Sequence, residues 1–330
     1  MITYHPIYHF NYPKEILILW EEVLAKFQEF HKEIEALITF GSFTNGDFYF
    51  VEVNNQIKIL SDFEFSVIVH KNITNDIKTR ILKSVESYNE EHSSSHFGHN
   101  LNIKVNTANQ FYNAINEFHF FNKTIQKTGK VIYGNKDFLD NEILTNNRIP
   151  KEEIRYIYNQ KIFNLLLHTN SNLVKNQKEY PIFIFHLLIN TSLKLLYVLS
   201  TYFGLYPNSY ENAISHLKNF VPRHIIDNYE TILGQKKQSI IPSNTQVISA
   251  IQTTTSLFNF TYNQVFDENM SNDEKSNDLR NFVNEYLNSL NITTLESKVE
   301  TQKNHHIESF LKNKGDNYNF YKKLYKGNVQ

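Results

Sequence analysis

Two short groups of residues, close together in the sequence, carry side chains suited to metal and phosphate chemistry. Asp62 and Glu64 flank Phe63, so on a β-strand the two carboxylates lie on one face and the ring lies on the other. Paired carboxylates of this kind can hold Mg²⁺. Gly41 and Ser42 end a short apolar run, where glycine lets a phosphate approach the backbone closely and serine supplies a hydroxyl donor. Together the two groups favour phosphoryl chemistry on a nucleoside triphosphate.

The elements that must position these residues are two predicted strands. Residues 36–40 are largely apolar and stop at a glycine, which is typical of a buried strand. Residues 62–69 alternate acidic and apolar side chains before becoming mostly apolar, which predicts a strand that begins at a wet edge and ends in the core. The patterning elsewhere predicts helices over 14–34, 75–88 and 111–128, a loop over 91–100, and strands over 101–105 and 130–133.

The order of these motifs resembles that of the nucleotidyltransferase superfamily, which is built on the polymerase-beta-like fold. The pattern of that family is an apolar residue, Gly, then Ser or Gly, with acid–apolar–acid on the next strand. Phe40–Ser42 and Asp62–Phe65 match this pattern. The segment 130–134, Lys-Val-Ile-Tyr-Gly, is similar to the strand that closes the catalytic domain in the small-substrate and antitoxin-like branches. The resemblance covers residues 15–140, and a helical domain after that point also resembles those branches.

The resemblance implies an α+β fold, in which a nucleotidyltransferase-like mixed sheet with flanking helices is followed by an all-α helical-bundle domain. It implies transfer of a nucleoside monophosphate, with AMP from ATP as the expected case, to a hydroxyl acceptor. Gly41 and Ser42 would then contact the β- and γ-phosphates. Asp62 and Glu64 would be catalytic and would bind Mg²⁺ or Mn²⁺. ATP or another nucleoside triphosphate is therefore the expected co-substrate.

The third carboxylate that active members carry is missing from the strand expected to provide it. The inward candidates in 101–105 are Asn102 and Lys104, and neither is acidic. An asparagine binds a metal only weakly and cannot act as a base. Three readings stay open: the third group comes from elsewhere, with Glu52 and Glu117 as the nearest candidates, or the site uses two carboxylates, or catalysis is lost. In the last case the chain would be a degenerate binding or interaction module.

The connection between the two motifs is longer than the family usually has. Residues 46–58 contain the mainly apolar run Phe-Tyr-Phe-Val-Glu-Val, which an Asn-Asn pair follows. This composition predicts an inserted β-hairpin or an extended arm.

The periodicity becomes almost entirely helical after Pro150, which predicts a domain boundary nearby. We therefore expect a catalytic domain over 1–148 and a helical domain over 149–330 that selects the acceptor or binds a partner. The longest apolar stretch, 180–206, is interrupted by polar residues that include Lys194. Because a lysine at the centre of a bilayer is costly, this stretch predicts a helix buried in a bundle rather than a membrane span.

The overall composition limits the classes of molecule that the protein is expected to bind. Among 330 residues, 33 are Lys or Arg and 34 are Asp or Glu, for a net charge of −1. This balance disfavours nucleic acid as a partner, because no strong positive field attracts it. Cysteine is absent, which excludes disulfides, thiolate catalysis and Cys-ligated zinc and fits a reducing compartment such as the cytoplasm. The expected partners are a nucleoside triphosphate and a hydroxyl acceptor (small molecule, sugar or protein), and a homodimer is left open.

Overall fold

Six strands in the described part of the chain build two sheets. The computed structural model describes residues 12–53, 55–92, 101–116, 120–140, 149, 151, 154–155, 157–158, 180–207, 209–238 and 241–266. The strands are Ile34–Phe40 (β1), Phe50–Val53 (β2), Gln56–Ile59 (β3), Phe63–Val69 (β4), Leu101–Thr107 (β5) and Lys130–Gly134 (β6). Four of them form one sheet in the order β5-β4-β1-β6, and β2 pairs with β3 in a separate sheet.

Helices flank the four-stranded sheet and make up most of the later part of the described chain. They are Lys14–Gln28 (α1), Ser42–Asn45 (α2), Asn75–Glu91 (α3), Ala108–Asn116 (α4), Phe120–Thr128 (α5), Tyr180–Tyr202 (α6), Tyr210–Leu217 (α7), Arg223–Gln238 (α8) and Asn244–Val265 (α9), with a 3-10 helix at Lys136–Leu139. The sheet is mixed, because β4 and β5 are parallel whereas β1 is antiparallel to both β4 and β6. The prediction of an α+β fold with a mixed sheet is confirmed at this level.

The two faces of the four-stranded sheet are covered by different helices. On one face, Phe63 and Phe65 of β4 pack with Trp20 of α1 and Val85 of α3. On the other face, a second apolar cluster joins the sheet to α4 and α5, and its buried members are Ala36, Ile38, Phe40, Ile68, Phe111, Ile115, Ile125 and Phe138. Each large apolar side chain buried in this way contributes roughly 1.5–3 kcal/mol. The sheet is therefore held rigidly between two helical layers.

Two predicted helices differ from the observed ones. The helix predicted over 14–34 ends at Gln28, because Ile34 pairs with Val69 as the first residue of β1. An isoleucine at this position satisfies both the helical spacing and the strand, and the strand pairing decides between them.

The helix predicted over 111–128 is instead the pair α4 and α5. Phe111 and Ile125 both pack in the cluster around Ile38. In one straight helix they would lie about 21 Å apart along the axis, since the rise is 1.5 Å per residue. Two shorter helices bring both side chains to the same cluster.

The long connection between the two motifs contains a β-hairpin, which is one of the two structures that the sequence predicts for it. β2 and β3 pair in antiparallel register from Phe50 opposite Ile59 to Val53 opposite Gln56. Asn55 in the turn has φ of 61°, a left-handed conformation that asparagine tolerates better than most residues.

The chain divides into two compact units. The first consists of Met1–Pro150 with Tyr206–Asn212 and Lys237–Ile241, and the second consists of Lys151–Leu205, Ala213–Lys236 and Pro242–Gln330. Two short segments of the helical part of the sequence thus belong to the first unit. The catalytic and acceptor-selecting roles predicted for 1–148 and 149–330 remain a proposal.

The most apolar helix of the second unit is α6. Among the described residues, Ile182–Tyr202 is the one helix long and apolar enough to cross a membrane, and most of it is buried inside the protein. Ser192 hydrogen-bonds Thr254 of α9 across a buried contact of 2.9 Å. Lys194 is exposed. A core helix of a helical bundle, as predicted for 180–206, has these properties.

Candidate functional site

The pairing of β1 with β4 brings the two sequence motifs into direct contact. Phe40, the last residue of β1, lies opposite Glu64. Gly41 follows with φ of 76° and ψ of −154°, a backbone conformation that is adopted almost only by glycine. A Cβ atom built on Gly41 would collide with Glu64 Oε2. The Glu64 carboxylate therefore occupies the space that a side chain at position 41 would need.

Glu64 lies on the side of β4 opposite the buried aromatic residues. Asp62 and Glu64 are half-buried, whereas Phe63 and Phe65 are fully buried. This alternation is that of a strand whose successive side chains point to opposite faces. Asp62 stands directly before β4, beside the edge where β1 turns into α2. Ser42, the first residue of α2, is half-buried at the same edge.

Aromatic packing fixes the turn that carries Gly41 and Ser42. The ring of Phe43 stacks on Trp20 at a centroid distance of 4.4 Å and on Tyr12 at 4.9 Å. It also meets Phe63 edge-on at 5.1 Å. The Tyr12 hydroxyl donates to the Phe43 carbonyl oxygen, and burial raises the pKa of that phenol. The turn is thereby attached to the same apolar layer as the strand that carries the acids.

Hydrogen bonds also hold the turn in place. The buried hydroxyls of Thr39 and Thr44 lie 3.2 Å apart and link β1 to α2. Lys130 Nζ donates to the Thr44 carbonyl oxygen over 3.4 Å. Directly before Asp62, Ser61 Oγ accepts a hydrogen bond from the Tyr49 N–H at 2.9 Å. These contacts restrict the position of the backbone on both sides of the candidate site.

The strand pairing places Asn102 beside Glu64. In the parallel pair of β4 and β5, Glu64 lies opposite Asn102 and Ser66 lies opposite Lys104. Directly paired residues project on the same face of a sheet, so the Asn102 amide neighbours the Glu64 carboxylate. Asn102 is exposed, whereas Lys104 is half-buried with its Nζ 3.8 Å from the centroid of the Phe121 ring. Burial lowers the pKa of Lys104 from 10.5 to about 8.

The structure describes one of the two alternative sources of a third carboxylate. Glu52 is exposed on the hairpin strand β2, and Glu117 lies outside the described residues. No group of three His, Cys, Asp or Glu side chains with the spacing of a metal site occurs among the residues that the structure describes.

The residues present nevertheless suit Mg²⁺. This ion is commonly held by one or two carboxylates, with waters and substrate phosphates completing its octahedral shell. Asp62 and Glu64 supply two such carboxylates at a half-exposed edge, and the missing Cβ of Gly41 leaves room for the Glu64 carboxylate.

Two residues that neighbour the candidate site, Ser66 and Phe121, are not among the site residues predicted from the sequence. Ser66 follows Glu64 by two residues on the same face, so the strand alternation was sufficient to find it. Phe121, which contacts both Lys104 and Phe40, depends on how α5 packs on the sheet. No local signal marks such a long-range contact.

Comparisons with known proteins give little further information. No protein-family model matches the chain, and no curated protein matches it. One solved structure to which it is similar is spectinomycin adenyltransferase AAD(9) from Enterococcus faecialis, with ATP and spectinomycin. The TM-score is 0.42 at 14% identity, over 76% of this chain and 99% of that chain. A likeness of this size carries no argument, so the function has to be inferred from the residues of this chain.

Proposed function

We propose that the chain transfers a nucleoside monophosphate, AMP from ATP, to a hydroxyl acceptor, in a reaction that requires Mg²⁺ or Mn²⁺. The observation that carries the proposal is the contact of Glu64 with Gly41, with Asp62 at the same edge of the sheet. A glycine turn beside two carboxylates combines a place for phosphate with the ligands of a divalent cation.

The glycine turn would bind the terminal phosphates. Because the Glu64 carboxylate fills the space beside Gly41, a phosphate would meet the turn through the cation held by this carboxylate and through the Ser42 hydroxyl, which can donate a hydrogen bond. The stacking of Phe43 on Trp20 and the hydrogen bond between Thr39 and Thr44 hold this backbone in place before the nucleotide binds. A backbone that is already ordered loses less conformational entropy on binding.

The two carboxylates would hold the metal ion. A divalent cation bound by Asp62 and Glu64 supplies positive charge that offsets the charge of the triphosphate. The acceptor oxygen forms its bond to the α-phosphorus as the bond to the bridging oxygen of the β-phosphate breaks, and pyrophosphate leaves. The hydroxyl proton passes to water, because Asn102 cannot accept it.

A second candidate function is a binding module that has kept the nucleotide site but lost transfer. The observation that favours it is that Asn102 stands opposite Glu64, on the strand that is expected to carry an acid in active members of the resembled family. The contact of Gly41 with Glu64 is compatible with both candidates. They differ in whether labelled nucleotide reaches an acceptor.

A transfer assay separates the two. The wild type and the Glu64→Gln variant are incubated with α-labelled ATP, Mg²⁺ and a pool of metabolites or a cell lysate. Transfer of label by the wild type, lost in Glu64→Gln and kept in Glu86→Gln, supports the enzyme. Glu86 is a suitable matched control because it is exposed on α3, away from β4. Nucleotide binding without transfer to any acceptor favours the binding module.

A further inference from the structure

A lysine stands on the candidate site's face of the sheet, on the strand that lacks an acid. Lys104 pairs with Ser66, and its neighbour Asn102 pairs with Glu64. Since paired residues share a face and alternate residues return to it, Lys104 projects on the same face as Glu64. The two residues are diagonal neighbours on adjacent strands, a distance that a long side chain can span.

The position of the ammonium is fixed by an aromatic ring. Lys104 Nζ lies 3.8 Å from the centroid of Phe121, close enough for a cation–π interaction. The Phe121 ring also meets Phe40 edge-on at 5.2 Å. Because Phe40 is the register partner of Glu64, the ring ties the ammonium to the acidic edge of the sheet.

A buried hydroxyl next to this lysine has no partner in the described part of the chain. Ser66 is fully buried, and its Oγ has no hydrogen bond among the described residues. An unpaired buried hydroxyl costs free energy, so such a group points to a polar ligand or a bridging water that is bound in the working protein. Ser66 stands between Glu64 and the core on the strand that carries the acids.

Keeping Lys104 protonated at its half-buried position lowers the stability of the fold. Burial lowers the pKa of Lys104, which means that the fold disfavours the charged form. A methionine would fill the same space without this cost. A residue that lowers stability in this way is more easily explained by a ligand than by packing.

We propose that the Lys104 ammonium contacts the α-phosphate and supplies there the positive charge that a second divalent cation would supply in a site with three carboxylates. The chain would then bind its nucleotide with one divalent cation, on Asp62 and Glu64. The strand order β5-β4-β1 supports this arrangement, because a triphosphate whose terminal phosphates lay at Gly41, after β1, would have to cross β4 to reach β5. The inference rests on the proposed function, and it explains why an acid is absent from β5.

Counting the bound metal ions tests this role. ATP affinity is measured by calorimetry, and bound Mn²⁺ per bound ATP is measured by electron paramagnetic resonance. We expect one Mn²⁺ per ATP in the wild type. Lys104→Met should weaken ATP binding by about 10- to 100-fold, the effect of one charge-assisted hydrogen bond. Lys104→Arg keeps the charge and should retain most of the affinity. Lys83→Met, at an exposed lysine of α3, should bind ATP like the wild type.

A further variant makes the same test in the opposite direction. Lys104→Glu adds an acid to β5, and we expect it to bind two Mn²⁺ per ATP. Two bound Mn²⁺ per ATP in the wild type would overturn the role of Lys104, and so would an unchanged ATP affinity in Lys104→Met. If Asp62→Asn still loses ATP binding, the proposed function itself is not affected by either result. No ATP binding by the wild type overturns the proposed function and this role with it. Thermal unfolding shows whether each variant is folded.

Discussion

The rings of Phe43 and Phe63 meet edge-on, with centroids 5.1 Å apart and planes at 69°. Phe43 directly follows Ser42, and Phe63 separates Asp62 from Glu64. One aromatic contact therefore joins the two halves of the candidate site from below, on the face opposite Glu64. The glycine turn and the acidic strand cannot move apart without breaking this contact.

This contact predicts an energetic coupling between the two halves. We expect Phe43→Leu and Phe63→Leu each to lower the free energy of unfolding by about 1–2 kcal/mol, since each leaves a small cavity. The double variant should lose less than the sum, with a coupling of about 0.5–1.5 kcal/mol from the lost ring pair. Urea denaturation of the four proteins measures it. Phe138→Leu, in the other apolar cluster, is the control, because its loss of unfolding free energy should simply add to that of Phe43→Leu. Strictly additive losses for Phe43→Leu and Phe63→Leu would contradict the account.

Because Glu64 already fills the space beside Gly41, we predict that even one added methyl group at this position disables the site. In Gly41→Ala the Cβ would collide with the Glu64 carboxylate, and the positive φ adds backbone strain. We expect a loss of about 1–3 kcal/mol in unfolding free energy, together with loss of ATP binding. Gly234→Ala is the matched control, because nothing lies within 4 Å of its Cβ. In helix α8 that change should stabilise the protein by about 0.5–1 kcal/mol. Equal ATP affinity in wild type and Gly41→Ala would be incompatible with the proposed phosphate site.

The lowered pKa of Lys104 predicts a pH-dependent stability difference in the absence of nucleotide. Burial lowers this pKa from 10.5 to about 8, so the unfolded chain binds more protons between these values and the stability of the wild type rises with pH in that window. Below pH 8 the cost of the buried charge is fully present. Lys104→Met should therefore be more stable than the wild type at pH 7, by ~1–2 kcal/mol after the lost contact with Phe121 is subtracted.

Urea midpoints at pH 7 and pH 10.5 measure this difference, which should shrink toward the higher pH. Lys83→Met provides the reference, since an exposed lysine should give no such trend. A stability difference of the same size at both pH values would show that the charge of Lys104 is not disfavoured by the fold.

The part of the site that could be predicted from the sequence is the part encoded locally. Acid–apolar–acid alternation defines which side chains share a face of β4, and the glycine after an apolar run marks where β1 ends. Both signals act over a few residues. The same local logic misplaced the end of α1, because Ile34 fits a helix and a strand equally well until its partner Val69 is known.

The remaining features depend on contacts between distant segments. That Glu64 stands opposite Asn102 follows from the register of β4 with β5, which lie almost forty residues apart in the sequence. The contact of Lys104 with Phe121 requires α5 to fold back over the sheet. Hydrophobic spacing indicates that a helix packs somewhere, but it does not specify which strand residue the helix meets.

The central claim is that Asp62 and Glu64 hold a divalent cation for a nucleotide bound at the glycine turn. Calorimetry with ATP, with and without Mg²⁺, tests it directly on the wild type, Asp62→Asn and the control Asp140→Asn, whose exposed carboxylate follows the 3-10 helix. We predict binding that requires Mg²⁺ and is at least about tenfold weaker in Asp62→Asn, as expected for the loss of one charged ligand, while Asp140→Asn binds like the wild type. Equal affinity in Asp62→Asn and the wild type, or binding indifferent to Mg²⁺, would contradict it.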